Sequence, residues 1–211
     1  MSTVPATTVP QAPKRMTAKP ALLLVGVLAL ALALPWVFFA QRNAAAAAQL
    51  PVMGQLPSWS LTSHHDKAFG SQQLDGKPYL VSFFFTSCPS TCPKIMKAMK
   101  RVHDRTAALE LVSITVDPET DTPDVLQRSL DKYDAKGARW TLCTGTDAQI
   151  RAVVVDGFKT YVGKQLPKTA DVYDIMHGSR LVLVDGKGQV RGHFSTDEAG
   201  LDELVEAAKT L

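Results

Sequence analysis

Two cysteines four residues apart are the residues of this chain whose type and spacing most clearly permit chemistry. Cys88 and Cys92 follow a short apolar run, and Pro89 and Pro93 come directly after them. Proline suits the first turn of a helix, because its missing N–H would have had no partner there. The pattern predicts a buried strand, a tight loop that carries two thiols, and a helix that starts at Cys92 or Pro93.

A cysteine pair at a helix start can bind a soft metal ion or form a disulfide. The unpaired N–H groups of a first helical turn favour thiolate over thiol. Residues four apart at a helix start lie on the same side, so the sulfurs of Cys88 and Cys92 can converge. Thiolates select Cu(I), or Zn(II) when more ligands are present. The flanking prolines and the strand-to-helix junction disfavour the other interpretation, two buried structural cysteines.

Alternating strands and helices must position this pair. Apolar runs at residues 79–85 and 111–116 predict two buried strands, and residues 94–109 between them have apolar positions at helical spacing. The later predicted elements are a helix from Thr122 and Pro123 to Tyr133, a short strand at 140–143, a helix from Asp147 to Val155, a hairpin of 180–184 and 189–194, and a final helix over 198–211. Asp147 is the expected cap of its helix, and Thr196 or Asp197 is the expected cap of the last one.

The order of these elements predicts an α/β protein with a thioredoxin-like fold and an N-terminal β-hairpin. Residues 59–62 and 69–74 form the expected hairpin, which leads through a tight turn at Asp75 and Gly76 into the central strand. A strand-to-helix junction with paired cysteines, followed later by an antiparallel hairpin, is typical of this fold. Reactive groups of open α/β sheets lie at the carboxyl ends of strands, where Cys88 is expected.

An uncharged apolar segment near the N-terminus predicts one transmembrane helix before the folded domain. Residues 21–40 are long enough to span a bilayer as a helix. Lys14, Arg15 and Lys19 precede the segment, which places the N-terminus in the cytoplasm. A cleaved signal peptide is the alternative, because residues 44–48 offer small-residue cleavage sites. The length of the apolar run favours a retained anchor.

The chain therefore divides into four expected segments. Residues 1–20 form a disordered cytoplasmic tail, residues 21–40 a membrane anchor, residues 41–56 a linker, and residues 57–211 the folded domain. Either an anchor or a signal peptide places the domain outside the cytoplasm. The expected location is the bacterial inner membrane, with a single pass and the domain in the periplasm. A mitochondrial origin is the alternative, since the tail contains no acidic residue.

The distribution of charge argues against a nucleic-acid-binding protein. The net charge is +3. Residues 1–20 contain three basic and no acidic residues, so the rest of the chain is balanced at 20 basic and 20 acidic residues. No basic patch stands out in the folded part. The 3 cysteines are too few for a disulfide scaffold, which leaves a reactive or metal-binding pair and one bystander.

A metal held by two sulfurs needs a further ligand, and four of the 5 histidines are poor candidates. His103 lies eleven residues past Cys92 on the same helix, about 16 Å along its axis, which is too far to share an ion. His193 is expected to be an exposed residue of the last strand. His64 and His65 are expected to be solvated polar residues of a turn, although such a pair can bind copper weakly.

The remaining histidine is the candidate third ligand. His177 precedes Gly178, which permits a sharp turn or a close backbone approach, and then a predicted strand. In a thioredoxin-like fold the loop before this strand crosses beside the cysteine loop. His177 could then complete a trigonal site with Cys88 and Cys92.

Over residues 59–194 the chain resembles the Sco/SenC family of copper-binding thioredoxin-like proteins, which help to build the copper centre of cytochrome oxidase. The residues that carry the resemblance are Asp75-Gly76-Lys77-Pro78, Thr86-Ser87-Cys88-Pro89-Ser90-Thr91-Cys92-Pro93, Asp117-Pro118, Asp121-Thr122-Pro123, and His177 before Leu181-Val182-Leu183-Val184-Asp185. The resemblance implies that Cys88, Cys92 and His177 are copper ligands. It also implies that Asp117 and Thr122 shape the neighbouring loop.

Two positions depart from the family pattern. Ser90 stands where members often have an acid, and Met176 stands where they often have Asp before the histidine. The lost carboxylates leave the site less anionic. Met176 is interpreted as a core or loop residue. Met96, Met99 and Cys143 are interpreted as residues of the core.

The resulting hypothesis is a membrane-anchored copper metallochaperone that passes its ion to an oxidase subunit or another cuproprotein. The alternative is a thiol–disulfide oxidoreductase supplied by a thiol reductant, with Cys88 as the exposed nucleophile and Cys92 as the resolving thiol. A redoxin-type peroxidase is disfavoured, because such enzymes have Thr three residues before the reactive cysteine and this chain has Phe85.

Overall fold

The computed structural model describes residues 50–135, 139–160, 162 and 179–211. The described strands are β1 (Gly54–Gln55), β2 (Ser60–Ser63), β3 (Ala68–Gly70), β4 (Tyr79–Phe84), β5 (Glu110–Thr115), β6 (Trp140–Thr144), β7 (Leu181–Val184) and β8 (Gln189–Phe194). The described helices are α1 (Cys92–Arg105), α2 (Pro123–Asp131), α3 (Asp147–Arg151) and α4 (Glu198–Ala208), with a π-helix at Ala152–Gly157 directly after α3. The predicted tail and membrane segment lie outside these residues. Among the described helices none is long and apolar enough to cross a membrane.

The strands form one mixed sheet in the order β1-β8-β7-β4-β5-β6-β2-β3. β4, β5 and β6 are parallel, and the neighbouring pairs on either side are antiparallel. Parallel neighbours need crossover connections, which α1 and α2 supply. This arrangement confirms the predicted α/β class, agrees with a thioredoxin-like fold, and contains the predicted N-terminal hairpin as β2 and β3.

β4 is the buried centre of this sheet. All of its six residues are buried, as expected of a strand that is covered on both faces. α1 packs against β4, and α4 packs against α1 and β8. α1 turns five apolar side chains toward the sheet, those of Ile95, Met96, Ala98, Met99 and Val102. The interpretation of Met96 and Met99 as core residues is confirmed.

α1 ends at Arg105, four residues before the predicted end. The Arg139 guanidinium, just before β6, donates hydrogen bonds to the carbonyl oxygens of His103, Thr106 and Leu109, at 3.1, 3.0 and 3.2 Å. These bonds satisfy carbonyl groups that have no partner at a helix end. The chain can therefore leave the helix and enter β5 directly.

The N-terminal caps of the later helices correct one prediction and confirm another. Thr146, and not Asp147, caps α3, and its side chain accepts from the backbone N–H of Gln149. The Gln149 side chain in turn accepts from the backbone N–H of Thr146, which completes a capping box. Asp197 caps α4 by accepting from the Gly200 N–H at 2.8 Å, as one of the two expected caps.

β1 lies inside the segment 41–56 that the sequence indicates to be a linker. Gly54 pairs with Val190, and Gln55 pairs with Gln189, both in antiparallel register with β8. Gln189 and Val190 are more than 130 positions away in the sequence, and composition does not reveal such a pairing. Ordered structure therefore begins before Pro57.

His64 is buried, which corrects its interpretation as a solvated turn residue. Its backbone N–H donates to the Leu142 carbonyl at 2.8 Å, and its ring Nδ1 accepts from the Leu142 N–H at 3.1 Å. His65 is exposed, and the two rings lie 4.0 Å apart between centroids. The Leu142 carbonyl oxygen also lies 3.4 Å from Nδ1, so the Leu142 backbone occupies this nitrogen in either tautomer. Nδ1 of His64 is therefore not open to a metal ion.

Acid should weaken the attachment of β2 to β6 through His64. Burial of the ring and the neighbouring His65 lower the pKa of His64 below 6.5, although the Leu142 carbonyl group and Asp131 raise it. As the pH falls, His64 is protonated in the unfolded chain before it is protonated in the folded one. The stability that neutral His64 contributes is therefore fully present above pH 6.5 and is lost as the pH falls through the folded-state pKa. We expect His64→Ala to lose about 1–3 kcal/mol of unfolding free energy at neutral pH.

The variant His64→Asn is the matched control, because its amide oxygen can accept from Leu142 without titrating. Denaturant unfolding at about pH 7.5 and about pH 5.5 measures the pH dependence. His64→Asn should show a smaller loss on acidification than the wild type. Equal losses in both proteins would contradict this role.

Candidate metal centre

The cysteine loop begins where β4 ends, at the carboxyl edge of the parallel strands. The Cys88 N–H donates to the Phe85 carbonyl at 3.3 Å, so the chain turns sharply within three residues. The Phe85 N–H donates to the Cys92 sulfur at 3.4 Å. The end of the central strand is therefore joined to both cysteines, at the edge of the sheet where the sequence predicts them.

The start of α1 brings the two sulfurs together. Cys92 is the first residue of the helix, and Pro93 lies in its first turn. The side chain of the N-cap residue, Thr91, accepts no capping hydrogen bond. Instead, the Cys92 N–H donates to the Cys88 sulfur at 3.4 Å. The two cysteines are therefore in contact at the helix start, and both are thiols in this structure.

The helix start favours the thiolate of Cys88. Burial raises the pKa of Cys88, but the backbone N–H groups of Cys92, Ser90 and Thr91 and the Cys92 side chain lower it. The net effect is a pKa below its ordinary value of 9.0. This shift is typical of cysteines at helix N-termini that act as nucleophiles or metal ligands.

The sulfurs lie beneath the loop surface and not on it. Cys88 is 6% exposed and Cys92 is 3% exposed, so the prediction of an exposed Cys88 is wrong. The exposed residues at this position are Pro89, Ser90 and Thr91, which lie between the two cysteines. Ser87, directly before Cys88, is exposed as well.

Asp121 is a residue of this region to which the sequence analysis assigned no role. Its carboxylate is fully buried and accepts from the Thr86 N–H at 3.0 Å, from the Thr86 hydroxyl, and from the Thr115 hydroxyl at 2.5 Å. Thr86 stands two residues before Cys88. The sequence signal that could have drawn attention to Asp121 is its place at the start of the Asp121-Thr122-Pro123 run. Its burial and its hydrogen-bond partners are set by the fold.

The two residues expected to shape the neighbouring loop lie in the turn between β5 and α2. Asp117 is buried, and its N–H donates to the Thr115 hydroxyl at 3.0 Å. Its carbonyl accepts from the N–H of Asp121 at 2.9 Å. Thr122 is the N-cap residue of α2, without a side-chain capping bond. Both residues therefore contribute to the turn that presents Asp121 to the cysteine loop.

The predicted third ligand, His177, lies outside the described residues, as does Met176. Within the described ranges, no group of three or more His, Cys, Asp or Glu residues could hold a metal ion. His103 is in the last turn of α1, with its Nδ1 3.2 Å from a carboxylate oxygen of Asp104. His193 is half-buried in β8, and not exposed as expected.

Cys143 is separate from the cysteine pair. It lies in β6, paired with β5 and β2, and its side chain is fully buried. Burial raises the pKa of the Cys143 thiol far above its ordinary range. A buried thiol of this kind is inert, which confirms its interpretation as a small core residue.

The sequence model of one protein family, described as SCO1/SenC, matches residues 51–211 of this chain. The match covers all of the described domain except its first residue. The chain belongs to the SCO1/SenC family. The resemblance inferred from the cysteine loop, the Asp-Pro turn and the late histidine is thus confirmed.

Curated relatives are members of the same family or carry a related description. A SCO2-like protein of Rickettsia prowazekii is 33% identical over 156 residues, 72% of this chain and 74% of its own length. A protein of Stutzerimonas stutzeri, described as a putative copper-binding protein, is 32% identical over 177 residues, 80% of this chain and 84% of its own length.

Solved structures share the fold of this SCO1/SenC domain. A SCO1/SenC family lipoprotein of Bacillus anthracis superposes with a TM-score of 0.67 at 26% identity, over 74% of this chain and 94% of that structure. ScoI of Bradyrhizobium japonicum, solved with copper bound, superposes with a TM-score of 0.63 at 26% identity, over 75% of this chain and 100% of that structure.

Proposed function

We propose that this chain binds one copper ion through Cys88, Cys92 and His177 and delivers it during assembly of cytochrome c oxidase or a related cuproprotein. The observation that carries the proposal is the contact between the two cysteines at the start of α1 in a SCO1/SenC domain, where the Cys92 N–H donates to the Cys88 sulfur at 3.4 Å. The same contact contributes to the lowered pKa of Cys88. Soft thiolate donors with a neutral imidazole suit Cu(I), and the same donors also bind Cu(II).

The relatives support copper as the cargo. ScoI of Bradyrhizobium japonicum was solved with copper bound, and the Stutzerimonas stutzeri relative is described as a copper-binding protein. A further structure with this fold, BsSco, is described as a member of the Sco family of cytochrome c oxidase assembly proteins. We extend both properties to this chain as part of the proposal.

The proposed location follows from the N-terminal sequence. Residues 21–40 anchor the chain in the bacterial inner membrane, and the folded domain is in the periplasm. Partners in this compartment are a copper-receiving oxidase subunit or another cuproprotein, and a thiol reductant that keeps Cys88 and Cys92 reduced. Copper binds to thiolates and not to a disulfide, so the reductant is needed before loading.

The described residues would act on the ion in three ways. The N–H groups at the start of α1 lower the pKa of Cys88, so that less free energy is spent on removing its proton when copper binds. The burial of Cys88 and Cys92 keeps water away from the sulfurs. The exposed segment Pro89, Ser90 and Thr91 is the surface over which a partner would reach the ion.

Replacing His177 with Ala should reduce the affinity for copper. Because loss of a residue that merely orients a ligand costs about 10-fold to 100-fold in metal affinity, we expect the loss of a direct ligand to cost at least as much. Metal analysis and absorption spectra of the purified chain measure the copper content. His65→Ala, which removes an exposed imidazole, is the control and should retain copper. Equal copper content in His177→Ala and the wild type would remove His177 from the site.

The second candidate function is thiol–disulfide exchange, and the lowered pKa of Cys88 favours it. In this reaction the Cys88 thiolate attacks a disulfide of a partner and forms a mixed disulfide, and one partner thiolate leaves. Cys92 then attacks Cys88, which releases the reduced partner and leaves a Cys88–Cys92 disulfide. An external thiol reductant restores the dithiol. Turnover of a disulfide substrate that is unaffected by His177→Ala would favour this function.

A further inference from the structure

A buried carboxylate connects the cysteine loop to the neighbouring strand. One oxygen of Asp121 accepts from the Thr86 hydroxyl. The other accepts from the Thr86 N–H at 3.0 Å and from the Thr115 hydroxyl at 2.5 Å. Thr115 is the last residue of β5, and Thr86 follows β4 at the start of the cysteine loop. The carboxylate therefore joins a fixed strand to the segment that carries Cys88.

Burial of the Asp121 carboxylate is by itself unfavourable for the free energy of folding. A buried carboxylate costs free energy unless hydrogen bonds or a cation compensate for lost water. Among the described residues, the hydrogen-bond donors to Asp121 are two hydroxyl groups and one amide, and none of these is a cation. Burial accordingly raises the pKa of Asp121, although its bonds to Thr115 and Thr86 lower it. Locally destabilising features of this kind occur most often at functional sites.

The Asp121 contacts act on a very short piece of chain. Thr86 is held by Asp121, while its neighbour Phe85 is held on the other side, through its N–H, by the Cys92 sulfur. The Cys88 N–H donates to the Phe85 carbonyl. Only Ser87 lies between the residue that Asp121 holds and Cys88. A shift of Thr86 would therefore move the Cys88 sulfur relative to the start of α1.

We infer that Asp121 is a positioning residue for copper binding: through Thr86 it fixes the place of the Cys88 sulfur opposite Cys92. The inference rests on the proposed function for its copper part, but the placement of Cys88 can be measured without copper. The competing explanation is that Asp121 stabilises the domain as a whole. If Asp121 positions the cysteine loop, variants that disturb its contact with Thr86 affect the loop more than variants that destabilise the domain equally elsewhere. If Asp121 only stabilises the domain, equal losses of stability have equal effects on the loop.

Three variants of the full-length chain separate these explanations. Asp121→Asn replaces one acceptor oxygen by an NH₂ donor that opposes the donors of Thr86 and Thr115. Thr86→Val removes the hydroxyl contact on the side of the cysteine loop. Thr115→Val is the matched control: on the side of β5 it removes the hydroxyl contact of the same carboxylate, together with the bond from the Asp117 N–H, and it leaves both contacts of Thr86 with Asp121 intact.

Two measurements report on the cysteine loop, and a third reports on the stability of the domain. The first is the rate of Cys88 alkylation by iodoacetamide in the copper-free reduced chain, assigned by mass spectrometry. The second is copper affinity, by competition with a chelator, together with the sulfur-to-copper charge-transfer absorption. The third is the midpoint of denaturant unfolding.

We expect Asp121→Asn and Thr86→Val to change the rate of Cys88 alkylation by about threefold or more and to lower copper affinity by about 10-fold to 100-fold. Thr115→Val should lower the unfolding midpoint to a similar extent and leave the alkylation rate and the charge-transfer absorption as in the wild type. Alkylation rates that follow the unfolding midpoint equally in all three variants would overturn the positioning role.

The two proposals can fail separately. A wild-type chain that binds no copper would overturn the proposed function, and the alkylation rates would still decide the role of Asp121. A wild-type chain that binds copper, with normal Cys88 alkylation in Asp121→Asn and Thr86→Val, would overturn the positioning role alone.

Discussion

Replacing Cys88 or Cys92 with serine should abolish tight copper binding. Serine keeps nearly the same shape, and at position 88 its oxygen can still accept from the Cys92 N–H at the start of α1. Its hydroxyl is a hard donor that stays protonated at neutral pH, so the soft thiolate is lost while the local fold is kept. We expect copper affinity to fall by about 100-fold or more, since direct ligands matter more than their outer partners. Metal analysis of the purified chain and chelator competition measure this loss.

Cys143→Ala is the matched control for these two variants. It also removes one thiol, but from the core of the sheet, where burial raises the pKa of Cys143. Copper content and affinity should stay at the wild-type level. Loss of copper in Cys143→Ala, or retention in Cys88→Ser, would contradict the assignment of the metal centre to the cysteine loop.

Replacing Phe83 with alanine should destabilise the domain by about 3–5 kcal/mol. Phe83 is nearly fully buried in β4, and its ring meets the ring of Phe158 edge-on at a centroid distance of 5.4 Å. Phe158 directly follows the π-helix. The variant loses the transfer free energy of a large apolar side chain, leaves a cavity in the core, and removes an aromatic pair. A loss of this size is a large part of the stability of a typical domain.

Chemical denaturation monitored by circular dichroism measures the effect of Phe83→Ala. Met53→Ala is the control, because Met53 is 59% exposed next to β1. It should change the unfolding free energy by no more than about 0.5 kcal/mol. A loss of less than about 1 kcal/mol in Phe83→Ala would mean that the site relaxes to fill the cavity, and that β4 does not depend on this ring.

Local sequence patterns were sufficient to predict the strand and the helix on either side of the cysteine loop. A short continuous apolar run rich in aromatic residues favours a strand that is covered on both faces, and β4 is buried throughout. Pro93 restricts the backbone to a helical start, and α1 begins at Cys92 as predicted. Cys88 lies in the loop directly before this helix, so the Cys92 N–H at the helix start can donate to its sulfur. These signals act between neighbouring residues and need no knowledge of the rest of the fold.

Local patterns were less reliable at element ends. The Asp147 prediction failed in favour of Thr146, because both residue types cap helices and only the backbone conformation selects between them. α1 ends early, because Arg139, distant in sequence, satisfies its last carbonyl groups. Such competition is settled by contacts from outside the segment.

What the sequence by itself determined is the cysteine pair, its place between the central strand and a helix, and the membership of the family that follows from them. Only the tertiary structure decided that Cys88 is covered, that His64 is buried against Leu142, and that Asp121 holds Thr86. The last two of these features join residues that are distant in the chain. Their types permit many environments, and the packing of the sheet selects one of them.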